Sequence, residues 1–135
     1  MVIQHTSHAR YDLWYHLAWA TKYRKQVFQG KEVQVKVCEI LRAIAAHYDL
    51  TLGVVECLPD HAHLTFSAPP RIAPAQAAQM LKSVSTTMLF VEFLWLKNQY
   101  WGGEIWAGGY FVRSVGEGMT KQQIERYIRE QSEEI

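Results

Sequence analysis

Two histidines separated by one alanine, His61 and His63, follow Pro59-Asp60, and Tyr127 and Gln131 stand near the C-terminus. Strand side chains alternate in direction, so His61, His63, Thr65 and Ser67 fall on one face. Ala62, Leu64, Phe66 and Ala68 fall on the other. Two imidazoles on one strand face can offer two neutral nitrogen ligands to a divalent metal. Tyr127 and Gln131, one helical turn apart, could add a nucleophile and an oxygen ligand. The combination suggests phosphoryl-transfer chemistry on nucleic acid.

Each of these signals also has a plainer explanation. A His-x-His pair alone fits satisfied or surface histidines, because histidine is intermediate in burial. Here Asp60 flanks the pair, and Thr65 and Ser67 keep its face polar. Ile124, Tyr127, Ile128 and Gln131 lie at helical spacing on one stripe, where an aromatic usually packs. Gln131 fits that account poorly, since a buried amide needs a partner, and a metal or a phosphate would be one. Lys22, Arg24 and Lys25 read as a solvated loop on their own, and as phosphate contacts if the substrate is nucleic acid. Trp14 and His16 alternate onto one side of the first strand, either as part of a functional face or as sheet packing. Lys82 and Arg113 are DNA-contact candidates by residue type.

The elements that must position these groups follow from periodicity. Residues 11–23 are rich in aromatics and read as a first strand. After Gly30, the spacing of Val33, Val37, Ile40, Leu41, Ile44 and Tyr48 predicts a helix over 31–48. Residues 50–58 read as a second strand, Pro59-Asp60 as a tight hairpin connection, and 61–68 as a third strand ending at Pro69-Pro70. A second helix starts near Pro74 and runs into the mid-nineties. Residues 100–106 form a turn-rich connection, and 110–115 a fourth strand. A last helix, about 120–134, follows a glycine hinge at 116–118, with Thr120 and Gln123 in a capping-box pattern. The order β-α-β-β-α-β-α is that of an α+β, ferredoxin-like split βαβ sheet. Both main helices would cover one sheet face, and His61 and His63 would look out from the other, across which the last helix is free to lie.

The 135 residues make one domain, 1–135, long enough to build a core without disulfides or structural metal. Cys38 and Cys57 match no zinc spacing, so a reducing cytoplasm is expected. No signal-peptide pattern opens the chain, and the most apolar stretch, 88–96, is too short to span a bilayer. A net charge of +1 argues against blanket neutralisation of long duplex DNA but allows a locally basic surface.

Taken in order, several segments resemble the small single-tyrosine HUH transposases of bacterial and archaeal insertion sequences, a group that includes the repeat-associated tyrosine transposases. They are Trp19-Ala20-Thr21-Lys22-Tyr23-Arg24-Lys25, Leu58-Pro59-Asp60-His61-Ala62-His63-Leu64, Leu81-Lys82-Ser83, Trp101-Gly102-Gly103-Glu104-Ile105-Trp106, the run 109–116, and Tyr127-Ile128-Arg129-Glu130-Gln131. The resemblance implies that Tyr127 is the nucleophile and that His61, His63 and Gln131 hold Mg²⁺ or Mn²⁺. It implies single-stranded DNA substrates with imperfect hairpins at the element's ends. It also implies a homodimer in which each C-terminal helix can complete the partner's site. Two other roles compete on the same fold. One is a non-catalytic single-stranded nucleic-acid-binding module; the other is a domesticated relative acting on genomic repeats.

Overall fold

The computed structural model describes residues 3–100, 102–115 and 126. The chain begins with two short paired strands, β1 (Gln4–His5) and β2 (Arg10–Tyr11), and enters β3 (Trp14–Ala20). Then follow α1 (Lys31–His47), the hairpin strands β4 (Thr51–Leu58) and β5 (His61–Ser67), α2 (Pro74–Glu92) and β6 (Phe111–Ser114). The main sheet has the order β4-β5-β3-β6, with every neighbouring pair antiparallel. With two helices crossing between strands, this is the ferredoxin-like arrangement expected from the sequence.

The helices form where the apolar stripe predicts them, and their ends have local causes. Gly30 precedes α1 at φ 89°, a left-handed conformation that costs glycine little. Just beyond its C-terminus, Asp49 takes φ 60° and turns the chain toward β4. Pro74 opens α2, and the Gln76 side chain accepts the Ala73 N–H at 2.8 Å. Helix α2 stops at Glu92, and Leu94–Asn98 continues as a 3₁₀ turn. From α1 and α2, Val37, Leu41, Ile44, Ala77, Ala78 and Leu81 share one core with Leu17, Trp19, Ala62, Leu64 and Phe66 of the sheet. Both helices therefore cover the face predicted for them.

The connection after α2 also enters that core. Trp106 lies edge-on to Trp19 at 5.6 Å between ring centroids, and its Nε1 donates to the buried Ser85 hydroxyl at 2.9 Å. Lys82 of α2 donates from Nζ to the carbonyls of Ala107 and Gly109, both at 2.7 Å. Strand β6 pairs with Tyr15–Ala18 of β3. Beyond that point residues 105–107 take over the same edge. Ala107 N–H donates to Ala20 O at 2.9 Å, and Lys22 N–H donates to Ile105 O at 2.7 Å.

Three features differ from expectation. The first main strand is shorter than 11–23: Tyr11 belongs to the N-terminal pairing, whose turn is closed by Thr6 Oγ1 accepting from His8 and Ala9 N–H. Residues 22–24 form a 3₁₀ turn, not strand. Nor is the sheet face away from the helices bare, since His16, Ala18, Thr65 and Ser67 on it are all buried. The hinge at 116–118, the helix at about 120–134, Trp101, Tyr127 and Gln131 lie outside the described residues.

Candidate metal centre

The site is built by the β4–β5 hairpin. With Pro59-Asp60 as its two-residue connection, Leu58 pairs with His61, Cys57 with Ala62, and Glu56 with His63. On the other side, Ala20 of β3 pairs with His61 and Ala18 with His63. Two alanines next to two imidazoles leave the rings room above the sheet. The rings of His61 and His63 lie 6.3 Å apart, centroid to centroid, and within 24° of parallel. The shared face predicted from alternation is present.

Each histidine is engaged by a carboxylate. Glu56 Oε2 lies 3.1 Å from His63 Nε2, directly across the ladder. Asp60 Oδ1 lies 2.8 Å from His61 Nδ1. Burial raises the Asp60 pKa, but hydrogen bonds from His61 and Arg24 outweigh it and hold the carboxyl below its ordinary value. An ionised carboxylate only accepts, so Nδ1 of His61 carries the proton and Nε2 presents its lone pair. The other Asp60 oxygen, Oδ2, accepts from Arg24 Nη2 at 2.9 Å and Nε at 3.2 Å.

The loop that carries Arg24 is tied to the hairpin connection. Thr21 N–H donates to Asp60 O at 2.8 Å, and Thr21 Oγ1 bridges Lys25 O and Asp60 O at 2.8 and 3.1 Å. Lys22, Arg24 and Lys25 therefore gather at the His61 end of the sheet. Lys22 pairs with Glu104 at 3.3 Å, and Lys25 donates to Gln99 O with its ammonium over the Tyr100 ring. Lys82 is elsewhere, on α2, holding the 107–109 loop. Arg113 is exposed on β6, opposite His16.

The remaining polar residues of this face serve packing. Thr65 Oγ1 accepts the Val54 N–H at 2.8 Å, where β4 shifts register between Leu52 and Val55. Gly53 sits against it and against the Trp14 ring. His16 is fully buried, and neither of its ring nitrogens has a hydrogen-bond partner among the described residues. Burial first, then the charges of His63 and Arg113, lower its pKa to about 4, so His16 is neutral at pH 7.

Two imidazoles side by side suit a first-row divalent cation such as Mn²⁺, and His61, bonded to Asp60 through Nδ1, keeps Nε2 to offer one. A hard Mg²⁺ would lean on oxygen donors as well. Among the described residues no group of three or more His, Cys, Asp or Glu side chains is arranged to hold a metal ion. The histidine pair fits part of a ligand set, and further donors must come from elsewhere. The resemblance assigns one to Gln131, outside the described residues. Glu56 went unremarked in the sequence, and so did the pairing of Arg24 with Asp60. Glu56 was within reach, because a two-residue hairpin at Pro59-Asp60 sets position 56 opposite 63. The Arg24–Asp60 pair carries no local signal, since its members stand far apart in the chain.

The domain is thus a single ferredoxin-like antiparallel sheet with paired histidines on an inner strand and a basic turn beside them. The chain matches the family of IS200-like transposases over residues 9–131 and belongs to it. It is 42% identical over 121 residues to the ISDra2 transposase TnpA of Deinococcus radiodurans, covering 90% of this chain and 85% of that protein. It is 35% identical over 128 residues to the transposase for insertion sequence element IS200 of Salmonella typhimurium, covering 95% and 82%. A crystal structure of a Deinococcus radiodurans transposase superposes with a TM-score of 0.78 at 39% identity, over 95% of this chain and 97% of that one. A REP-associated tyrosine transposase bound to a REP hairpin shares the fold, with a TM-score of 0.52 at 14% identity, over 92% and 68%. Among the described residues, no helix is long and apolar enough to cross a membrane.

Proposed function

We propose that this transposase cuts and rejoins single-stranded DNA at the ends of an insertion sequence through a 5′-phosphotyrosine on Tyr127. Its metal would be Mg²⁺ or Mn²⁺, held by His61, His63 and Gln131. The observation that carries the proposal is the paired, carboxylate-braced histidines on one face of β5. The family match, ending at residue 131, takes in Tyr127 and Gln131 as well.

A divalent cation bound there would polarise the scissile phosphate as a Lewis acid. The tyrosine hydroxyl, with an ordinary pKa of about 10, is otherwise a weak nucleophile at neutral pH. In-line attack by Tyr127 forms the phosphorus–phenol oxygen bond and breaks the bond to the 3′ oxygen. The phenol gives up its proton and the departing 3′ oxygen gains one. One phosphodiester replaces another, so a second 3′ hydroxyl can reverse the step onto a new strand. This agrees with the lack of a phosphate-binding GxxxxGK[ST] motif in the sequence.

The substrate would be DNA folded into an imperfect hairpin, read by shape and by stacking on unpaired bases. The REP-associated structure bound to a hairpin supports that choice. Lys22, Lys25 and Arg113 would meet phosphates around the cleavage site, and Lys82 would act only indirectly, by fixing its loop. A homodimer sharing its C-terminal helices, in the cytoplasm, completes the proposal.

The test is labelled single-stranded DNA from the gene's flanks, incubated with Mn²⁺ and run on a denaturing gel. Wild type gives a covalent protein–DNA adduct, and Tyr127→Phe and His61→Ala give none. Hairpin binding by Tyr127→Phe stays within a few-fold of wild type. Tight hairpin binding with no adduct from wild type would overturn the proposal in favour of a binding module.

A further inference from the structure

Arg24 belongs by residue type with the DNA-contacting cations, but its surroundings give it other work. The two oxygens of Asp60 are divided: Oδ1 faces His61 Nδ1, and Oδ2 is gripped by two nitrogens of the Arg24 guanidinium. The row is partly withdrawn from water, with side-chain exposures of 37% for Arg24, 19% for Asp60 and 13% for His61. A phosphate that captured Arg24 would strip Asp60 of its cation.

The backbone is bent to make this grip. Tyr23 and Arg24 both take left-handed conformations, at φ 62° and 53°. For non-glycine residues this conformation is strained, and such strain persists only where the surroundings over-determine it. Here Thr21 binds the Asp60 carbonyl twice, and Lys22 N–H is fixed to Ile105 O. A long side chain reaching for phosphate across solvent needs no such turn. A short, fixed fork onto one carboxylate oxygen does.

We infer that Arg24 is a positioning residue for the metal centre, acting through Asp60 to fix the tautomer and aim of His61. The inference rests on His61 being a metal ligand, as proposed above. Histidine ligands commonly donate their second ring N–H to a carboxylate, and losing such a partner typically costs 10–100-fold in metal affinity. Arg24 stands one step further out, so its expected effect is smaller.

The experiment titrates Mn²⁺ alone into the full chain without DNA, following loss of the free-ion EPR signal. Alongside it, ¹⁵N NMR of the metal-free protein reads the His61 tautomer. Asp60→Ala should weaken Mn²⁺ by about 10–100-fold. Arg24→Ala and Arg24→Gln should weaken it by about 3–10-fold, below the loss from the direct partner. Both Arg24 variants should also turn His61 from a single Nδ1–H tautomer into a mixture, in spectra that otherwise keep the folded dispersion. An unchanged tautomer in both, or wild-type Mn²⁺ affinity with only DNA binding reduced, overturns the inference. His61→Ala keeping wild-type Mn²⁺ affinity would instead sink the metal-ligand proposal, and the tautomer data would still stand.

Discussion

On the helix side of β5, Ala62, Leu64 and Phe66 are wholly buried among aliphatic and aromatic neighbours. On the opposite side His63, Thr65 and Ser67 are nearly as buried, and every one is polar. The first face is stabilised by volume and contact, which many side chains of similar size could supply. The second also relies on particular donors meeting particular acceptors, as Thr65 meets Val54 N–H and His63 meets Glu56, although the buried Ser67 hydroxyl has no hydrogen-bond partner among the described residues. A strand can thus devote one side to holding the fold and the other to chemistry. The chemical side must then be specified residue by residue.

The contrast can be broken most sharply at Leu64. Leu64→Ala should cost about 2–5 kcal/mol by leaving a cavity in the helix-side core. Urea unfolding with EDTA present would show it at any pH where the protein is folded. A loss below about 1 kcal/mol would mean that this face collapses around the gap.

On the polar side the expected loss depends on pH. The folded pKa of His16, about 4, lies below its unfolded value of 6.5, so the unfolded chain takes up the proton first. The stability tied to neutral His16 is complete above pH 6.5 and drains as the pH falls toward 4. That loss should be on the order of 3 kcal/mol, and His16→Gln should remove it. Equal slopes of stability against pH for variant and wild type would show that other groups govern acid unfolding.

The smallest effect is expected at Gly53. A Cβ there would run into Thr65 Oγ1 and press on the Trp14 ring at 3.4 Å. Gly53→Ala should cost about 1–2 kcal/mol by overpacking and by disturbing the Thr65–Val54 bond. Restoring part of that stability with Thr65→Ala in the same chain would sharpen the comparison, because it removes the hydroxyl that the new Cβ meets.

Much of this was legible in the sequence. Alternation along 61–67 placed the histidines opposite Leu64 and Phe66, and the helical stripe from Val33 to Tyr48 marked α1 to within a residue. Those signals are local and repeat over several turns, so they survive folding. What did not show depends on distant or unusual partners. Tyr23 and Arg24 read as strand or loop because residue type does not announce a left-handed conformation outside glycine and asparagine. The pairs at Gln4 and Tyr11 are too short to carry a period. Burial of His16 follows from tertiary packing, which sheet alternation cannot see. Tyr127 and Gln131 owe their assignment to the sequence alone.

The outer edge of β3 is completed in two pieces, residues 105–107 near its end and β6 near its start, with Gly108 and Gly109 between them. A continuous strand would zip and unzip as one unit. Here the glycine pair acts as an expansion joint, and Lys82 clamps both of its lips through Ala107 O and Gly109 O. Strand β6 and the segment that seats Trp106 and steadies Lys22 are therefore held to β3 by separate sets of hydrogen bonds.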